Sequence, residues 1–422
     1  MIRNKNSRLA AAEIITLWLV DGSFPDRQLA GVKENHAFVL EVVNGVVRNR
    51  NVFDWLEAQW LKKAPQPFFK AVLDVGLYQL LFMDIEAYAA INETVEAAKS
   101  RSGGEAAAKM INAVLRRAQR ERDQVLESLE NQPASVRLSH PAFLLDRWTR
   151  QYGAADSIRL AEWDNQPPVT TLRIDQSAVD AAEFIDKLRD ADIEPLLHPF
   201  SEREIFLVLP RGIAVQKVPG YAEGWFTVQD PATAVSVDLL SPRPGESVLD
   251  ACAAPGGKTA MIAGRMQGSG ELVAMDLHSD RIAVLKENQK RLKLDWIEIV
   301  QGDAREPQKA LGDRRFDAIL LDVPCLNTGV LRRRADARWR IDEERIGKIT
   351  QLQYEILSAC AGLLNEKGRL VYSTCSLEAE ENEDLVARWV SAHPEFRMVK
   401  TGKCFPPESE TDGAFAALIR RK

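Results

Sequence analysis

The chain has 422 residues, 45% of them hydrophobic and 27% charged, with a formal net charge of −6. That length predicts two or three domains, and the composition is that of a soluble globular protein. No apolar run is long enough to span a bilayer, and the acidic balance excludes a globally basic nucleic-acid binder while leaving room for a local cationic face.

Residues 1–130 predict an all-helical region, because apolar residues recur at helical spacing, as in Ala11-Ile14-Ile15-Trp18 and Val39-Val42-Val43-Val46. The start, "MIRNKNSRLAAAEIITLWLV", is cationic and then apolar, but Glu13 interrupts the apolar part and no small-residue cleavage site follows. An amphipathic helix is expected rather than a signal peptide, and with it a cytoplasmic location. "SRSGGEAAAKMINAVLRRAQRERD" predicts a Gly-Gly break and then a long Arg-rich helix.

Over residues 131–226 the texture becomes mixed. "NQPPVTTLRID" and "EIFLVLP" predict strands around the helix "AAEFIDKLRDADI", which makes a small α+β module joining two larger parts. Over residues 227–422 strands and helices alternate, from "ESVLDA" through "GELVAMDLH", "WIEIVQGD" and "RFDAILLDVP" to "GRLVYSTCS". Repeated βα units predict a Rossmann-like, mainly parallel sheet with ligands at the carboxyl ends of its strands.

At the first of those ends stands "DACAAPGGKT", Asp250–Thr259. Its tail is that of a Walker A loop, G-x-x-x-x-G-K-[ST], and Ala318–Asp322 could pass for a Walker B strand. Cys252, however, occupies the place of the first glycine, whose freedom lets the backbone amides curl around phosphate. The competing reading is an adenosine site. Asp276 ends the next strand, where an acid takes ribose hydroxyls, and Asp303 in "VQGDA" ends the third and could accept from an adenine amine. Each acid alone could be a helix cap. No G-x-G-x-x-G is present, so an adenosine cofactor without a pyrophosphate fits better.

The cysteines are Cys252, Cys325, Cys360, Cys375 and Cys404. An odd count without C-x-x-C spacing, and with five histidines, indicates neither a disulfide framework nor a zinc site, so no metal is expected. Cys325 follows the fourth strand and Cys375 the fifth, so both are expected at one crevice, where two thiols suggest nucleophilic catalysis. Cys360 reads as core, and Cys404 falls in an irregular tail. The segment "VLRRRADARWRI", with Arg332, Arg333, Arg334, Arg338 and Arg340, is either a cationic face for an RNA backbone or a solvated helix face.

"DACAAPGGKT", "DVPC" with "TGVLRRR", "STCS" and "DGAFAALI" together resemble the RNA cytosine-5 methyltransferase family, the NOL/NOP/Sun group. "VGLYQLLFM", "AAINETVEAAK" and "INAVLRR" resemble a NusB-like RNA-binding domain. The resemblance implies a NusB-like domain over 1–130, a linking module over 131–226 and a catalytic domain over 227–422 dependent on S-adenosylmethionine. It implies methylation of carbon 5 of a cytosine in small-subunit (16S) ribosomal RNA through a covalent cysteine adduct, by a cytoplasmic monomer with no membrane or metal partner. Residue by residue, it makes Cys252, Ala253, Ala254, Pro255, Gly256, Gly257 and Lys258 the cofactor loop. Asp276 takes the ribose hydroxyls, Arg281 is a further cofactor-binding residue, Asp303 belongs to the adenine end, and Asp322 lies between the cofactor and the target base. Cys375 is then the nucleophile and Cys325 assists product release. Leu326 stands where the family usually has a small residue, and Ala414 where a bulky aromatic is common. A non-catalytic RNA-binding factor on the same fold is the alternative that the resemblance leaves open.

Overall fold

The computed structural model describes residues 6–422; residues 1–5, the cationic start of the N-terminal reading, lie outside the described residues. The chain divides into two compact units. One runs to Gln166 and also takes Arg334–Arg340; the other comprises Pro167–Arg333 and Ile341–Lys422.

The first unit is helical. Its opening helix, Ser7–Asp21, is capped by Asn6, whose side chain accepts from the Arg8 and Leu9 amides, and it stops at Gly22 with φ 63°. The helix Pro67–Phe82 is buried at nearly every position from Phe68 to Leu81, as expected of a helix apolar all round. Helix His36–Arg48 can approach it because Gly45 lacks a side chain: a Cβ there would lie 1.9 Å from the Tyr78 ring. The expected break falls at Gly103, with φ 79°, and the long Arg-rich helix follows as Gly104–Arg120; a second helix, Arg122–Glu130, starts after Glu121.

The Arg334–Arg340 excursion completes this unit. Ala335 joins its hydrophobic core, and the Trp339 indole donates to the Val47 carbonyl at 2.8 Å. Arg338 is fully buried and donates to Ser139 O, Asn165 Oδ1 and Asp164 O at 3.2, 2.8 and 3.3 Å. Arg340 donates to Gly22 O, Ser23 O and Asp336 and lies over the Phe24 ring. In the second unit Arg332 donates to Pro167 O, and Arg333 to Val169 O, Asp230 and Asp412. The segment is therefore not a free cationic face. Of the five arginines only Arg334 is exposed; the other four guanidiniums are tied to acceptors within their own units.

The second unit contains two sheets. Strands β1 (Thr170–Ile174), β2 (Leu196–His198), β3 (Phe206–Leu209) and β4 (Phe226–Val228) form an antiparallel sheet in the order β2-β3-β1-β4. The helix Ala181–Asp190 packs on it, with Asp180 as its cap. Then follow β5 (Ser247–Asp250), β6 (Glu271–Asp276), β7 (Glu298–Gln301), β8 (Phe316–Asp322), β9 (Leu364–Thr374), β10 (Phe396–Cys404) and β11 (Ala414–Arg421). They make one sheet in the order β10-β11-β9-β8-β5-β6-β7. β5 to β9 run parallel, and β11 pairs antiparallel with both β9 and β10. Runs such as Ala318-Ile319-Leu320-Leu321 are fully buried, as a sheet covered on both faces requires. This is the Rossmann-like architecture that the βα alternation predicts.

The chain winds outward from β5 to β7 and returns to its other side with β8. The topological switch thus lies between β5 and β8, where such folds bind ligands. Arg265, from the helix Gly257–Met266 after β5, reaches Glu204 and Asp238, and Arg291 donates to the Tyr221 and Phe226 carbonyls. The small sheet is thereby fastened to the large one. Cys404 ends β10 and is buried rather than lying in an irregular tail, since β10 and β11 extend the sheet beyond β9. Among the described residues no helix is long and apolar enough to cross a membrane.

Arg338→Ala should destabilise the protein by about 3 kcal/mol, because it removes a buried charge from opposite Asp164. The exposed Arg334→Ala should cost less than about 0.5 kcal/mol. Urea midpoints compare them, and equal midpoints would mean that the excursion adds nothing to the helical core.

Candidate active site

The loop after β5 is built from backbone ties. Ala251 N donates to Leu320 O, Ala253 N to Met275 O at 2.9 Å, and Gly256 N back to Ala253 O at 2.8 Å. Gly256 is left-handed at φ 103°, where a Cβ would meet Leu285 at 2.6 Å, so only glycine lets the chain turn into the helix Gly257–Met266. The Ala254–Pro255 bond is cis, and Asn288 donates to Pro255 O. The sequence-identified residues Cys252 to Lys258 thus form one compact turn at the switch point. Burial pushes the Cys252 thiol up, which keeps it in its neutral form.

Carboxylates surround this turn. Asp250 is buried; its Oδ2 accepts from Thr259 Oγ1 at 2.7 Å and its Oδ1 has no partner among the described residues. Asp276 ends β6, where its oxygens accept from the amides of Ala254 and His278 at 3.1 and 3.2 Å. Arg281 spans both elements, pairing with Asp276 at 3.3 Å and donating to Ala254 O. Asp303 lies two residues beyond the end of β7. Arg305 engages both its oxygens, and that hydrogen bonding holds the Asp303 carboxyl below the usual range.

Lys258 does not point free, as a phosphate-gripping lysine would: its Nζ lies 2.5 Å from Asp322 Oδ1. Burial alone would lower the Lys258 pKa, but Asp322, with Cys375 and Asp250 behind it, raises it. Asp322 ends β8 and also accepts from Ser373 Oγ at 3.3 Å. The Walker reading therefore has neither its first glycine nor a free lysine.

The strands β8 and β9 deliver the thiols. Asp322 pairs in register with Ser373, so Cys325 and Cys375 leave adjacent strand ends, and their sulfurs are 3.3 Å apart. Cys375 Sγ also lies 3.4 Å from Asn327 Oδ1, and the Asn327 amide donates to Cys325 O at 2.9 Å. The contact with Cys375, followed by burial, pushes Cys325 well above the usual thiol range. Both thiols are partly exposed, whereas Cys360 is buried. Gly329 N donates to Cys375 O and Gly413 N to Gly329 O. A Cβ on Gly329 would sit 2.7 Å from Gly413 Cα and from Cys375 O, which explains why the "TG" and "DG" turns meet here. Leu326 is buried, with 5% exposure, and Ala414 opens β11 beside Cys404. No group of three or more potential metal ligands occurs among the described residues.

The sequence reading missed the polar bed beneath the sulfurs. Glu381, Gln353, Ser376 and Thr328 are fully buried and bonded to one another and to the thiol loops. In the sequence Glu381 belongs to the acidic run "EAEENED", which looks like a solvated helix start and carries no signal of burial.

Burial pushes Asp250 up to about 7, against the Thr259 hydrogen bond and with Asp322 adding to the rise. An unfolded aspartate titrates near about 4, so the folded state holds this proton more tightly. The stability Asp250 lends is complete below about pH 4 and is lost as pH rises through about 7. Asp250→Asn should therefore flatten this slope, with the difference between the urea midpoints of the two proteins changing between about pH 4 and 7. A constant difference across that range would assign the shift elsewhere.

A family model for 16S rRNA methyltransferase RsmB/F matches residues 237–420. A NusB family model matches residues 5–120, and the ferredoxin-like domain of RsmF/B-like methyltransferases matches residues 140–214. Two relatives named ribosomal RNA small subunit methyltransferase B, from Yersinia pestis bv. Antiqua (strain Angola) and Yersinia pseudotuberculosis serotype O:1b (strain IP 31758), are each 35% identical over 99% of both chains. The crystal structure of PH0851 shares the fold over 99% of each chain, with a TM-score of 0.81 and 24% identity. A methyltransferase homolog protein from Pyrococcus horikoshii is 25% identical, with a TM-score of 0.60, over 70% of this chain and 99% of its own. A thiol pair at the ends of β8 and β9, on a Rossmann-like sheet preceded by NusB-like and ferredoxin-like parts, is thus joined by full-length similarity: the chain belongs to the RsmB/F family of 16S rRNA methyltransferases.

Proposed function

We propose that this enzyme transfers a methyl group from S-adenosylmethionine to carbon 5 of a cytosine in small-subunit ribosomal RNA, with Cys375 as the nucleophile. The observation that carries the reading is the pair of thiols 3.3 Å apart, beside an acid–lysine pair and a glycine-rich turn. The RNA class is supported by the relatives, which are named for the ribosomal small subunit. The residues around the turn fit the cofactor. Asp250, Asp276, Asp303 and Asp322 stand against Lys258, Arg281 and Arg305, one acid in excess, which disfavours a triphosphate and suits a cationic sulfonium. Asp250 Oδ1, which has no partner among the described residues, is a further acceptor at the same turn. Cys252 to Lys258 would cradle the cofactor, with Asp276 taking the ribose hydroxyls, Arg281 fixing the turn and Asp303 at the adenine end. When bound, it supplies an electrophilic methyl group.

Carbon 5 of cytosine is a poor nucleophile. The Cys375 thiolate adds to carbon 6 and pushes electrons towards carbon 5, which takes the methyl group. The proton held between Lys258 and Asp322 stabilises the charge that develops near ring nitrogen 3, while the Lys258 ammonium lies within electrostatic reach of the attacking sulfur. Cys325, held as a thiol by its neighbour and by burial, divides the labour. It serves late as the base: once it has lost its own proton to solvent, its sulfur takes the carbon 5 proton, the carbon 5–carbon 6 double bond re-forms, and the Cys375 sulfur leaves as a thiolate. Carbon 6 must be exposed for attack, so the target is an unstacked or flipped base. In this reading residues 1–130 bind RNA, 131–226 link and 227–422 catalyse, in a cytoplasmic monomer.

With ribosomal RNA and labelled cofactor, Cys375→Ala should lower methyl transfer by roughly a thousandfold or more. Cys325→Ala should accumulate a protein–RNA adduct that survives denaturing electrophoresis. Undiminished transfer by Cys375→Ala would overturn the assignment.

A further inference from the structure

Glu381 sits in the short turn Ala379–Glu381 after β9, with no exposed surface. Its Oε2 accepts from the Leu326 amide at 3.0 Å and from Gln353 Nε2 at 2.8 Å, and its Oε1 accepts from Ser376 Oγ. Leu326 follows Cys325 and Ser376 follows Cys375, so a single carboxyl is bonded to the residue next to each sulfur. The surrounding bonds lock it in place. Tyr372 Oη donates to Glu381 O at 2.6 Å. Gln353, from the helix Glu343–Ala361, also donates to Pro324 O, the residue before Cys325, at 2.8 Å. Ser376 Oγ shares a hydrogen with Thr328 Oγ1 at 3.0 Å, and Thr328 Oγ1 accepts from Leu377 N at 2.8 Å.

We propose that Glu381 is a positioning residue of this active site: its buried carboxyl clasps the Cys325 and Cys375 loops together and sets the distance between their sulfurs. Strand pairing alone cannot do this, because the β8–β9 register ends at Asp322 and Ser373. Cys325 lies three residues past that point, in a loop whose backbone must find other partners. Three donors converge on two oxygens, an arrangement that a carboxyl satisfies and an apolar residue leaves as three buried, unmade hydrogen bonds. A glutamine keeps most of it: its oxygen can accept from Leu326 and Gln353, while its amide donates to a Ser376 hydroxyl turned towards Thr328. The spacing claim stands without the catalytic roles proposed above. Only its consequence for turnover rests on them.

Phenylarsine oxide reads the spacing directly in the full-length protein. It condenses with two neighbouring thiols, forming two As–S bonds and releasing one water, with no change of oxidation state. Wild type and Glu381→Gln should be bridged between Cys325 and Cys375, as located by peptide mass mapping. A folded Glu381→Ala should be bridged at least about tenfold more slowly, and its kcat for methyl transfer should fall by roughly a hundredfold with KM for RNA little changed. Glu381→Gln should retain most of the activity. If Glu381→Ala does not fold, Ser376→Ala decides, since it cuts one arm of the clasp and should also slow the bridging. Bridging at the wild-type rate in a folded Glu381→Ala, or in Ser376→Ala where that substitutes, overturns the clasp. Slowed bridging together with normal methylation by Cys375→Ala would instead uphold the clasp and sink the nucleophile assignment.

Discussion

The site depends on the register of two parallel strands. Asp322 faces Ser373 across the β8–β9 ladder, and the chain then carries Cys325 and Cys375 to within 3.3 Å. Side chains alternate between the faces of a strand, so a slip of one residue would send these groups to opposite sides of the sheet. The slip is opposed by the core itself: Ile319, Leu321, Leu370 and Tyr372 are buried on one face, and Ala318, Leu320 and Val371 on the other. Hydrophobic burial far from the chemistry therefore fixes the order in which an acid, a lysine and two thiols meet. Register brings the sulfurs near, and the buried polar bed beneath them fixes the last ångström.

The electrostatics follow from the same placement. Parallel strands that end together concentrate their terminal acids along one edge, and Asp250, Asp276 and Asp322 are all the last residues of their strands. Such crowding is costly unless each carboxyl is answered. Backbone amides answer Asp276, Lys258 answers Asp322, and Asp250 is left to titrate near neutrality. A phosphate placed here would meet three acids, whereas a cation would be attracted to all of them. The likeness of this turn to a phosphate loop is thus undone by what surrounds it.

Much of this was legible because it follows from period and order. Alternating βα units gave the parallel sheet, and the positions of Asp250, Asp276, Cys325 and Cys375 at the ends of apolar runs placed them at one edge. What could not be read depends on partners distant in sequence. Arg338 looks like a solvated cation until Asn165 and Ser139 arrive from more than 170 residues away. Glu381 looks like one acid among several until Leu326 and Gln353 enclose it. Asp303 was identified at its strand end, but a local arginine two residues on occupies its carboxylate. A resemblance assigns roles, yet it does not reveal which side chain already has a partner.

The Arg334–Arg340 excursion carries a consequence for how the chain folds. The helical unit has Ala335 in its core and Arg338 against Asn165, but those residues are encoded after β8. Its helices up to Asn165 can form early from local contacts, which favours rapid collapse. Its last core residues arrive only when most of the parallel sheet has been made. Until then Asp164 and His140, both fully buried in the finished unit, lack the guanidinium that lies between Ser139 and Asn165. The completion of the RNA-binding part that we propose is in this way coupled, through one short segment, to the synthesis of the strands that carry the thiols. A charged anchor suits such a device better than an apolar one. Without the Arg338 charge opposite Asp164 the unfinished unit is less stable than the finished one, whereas a missing alanine-sized contact would scarcely register.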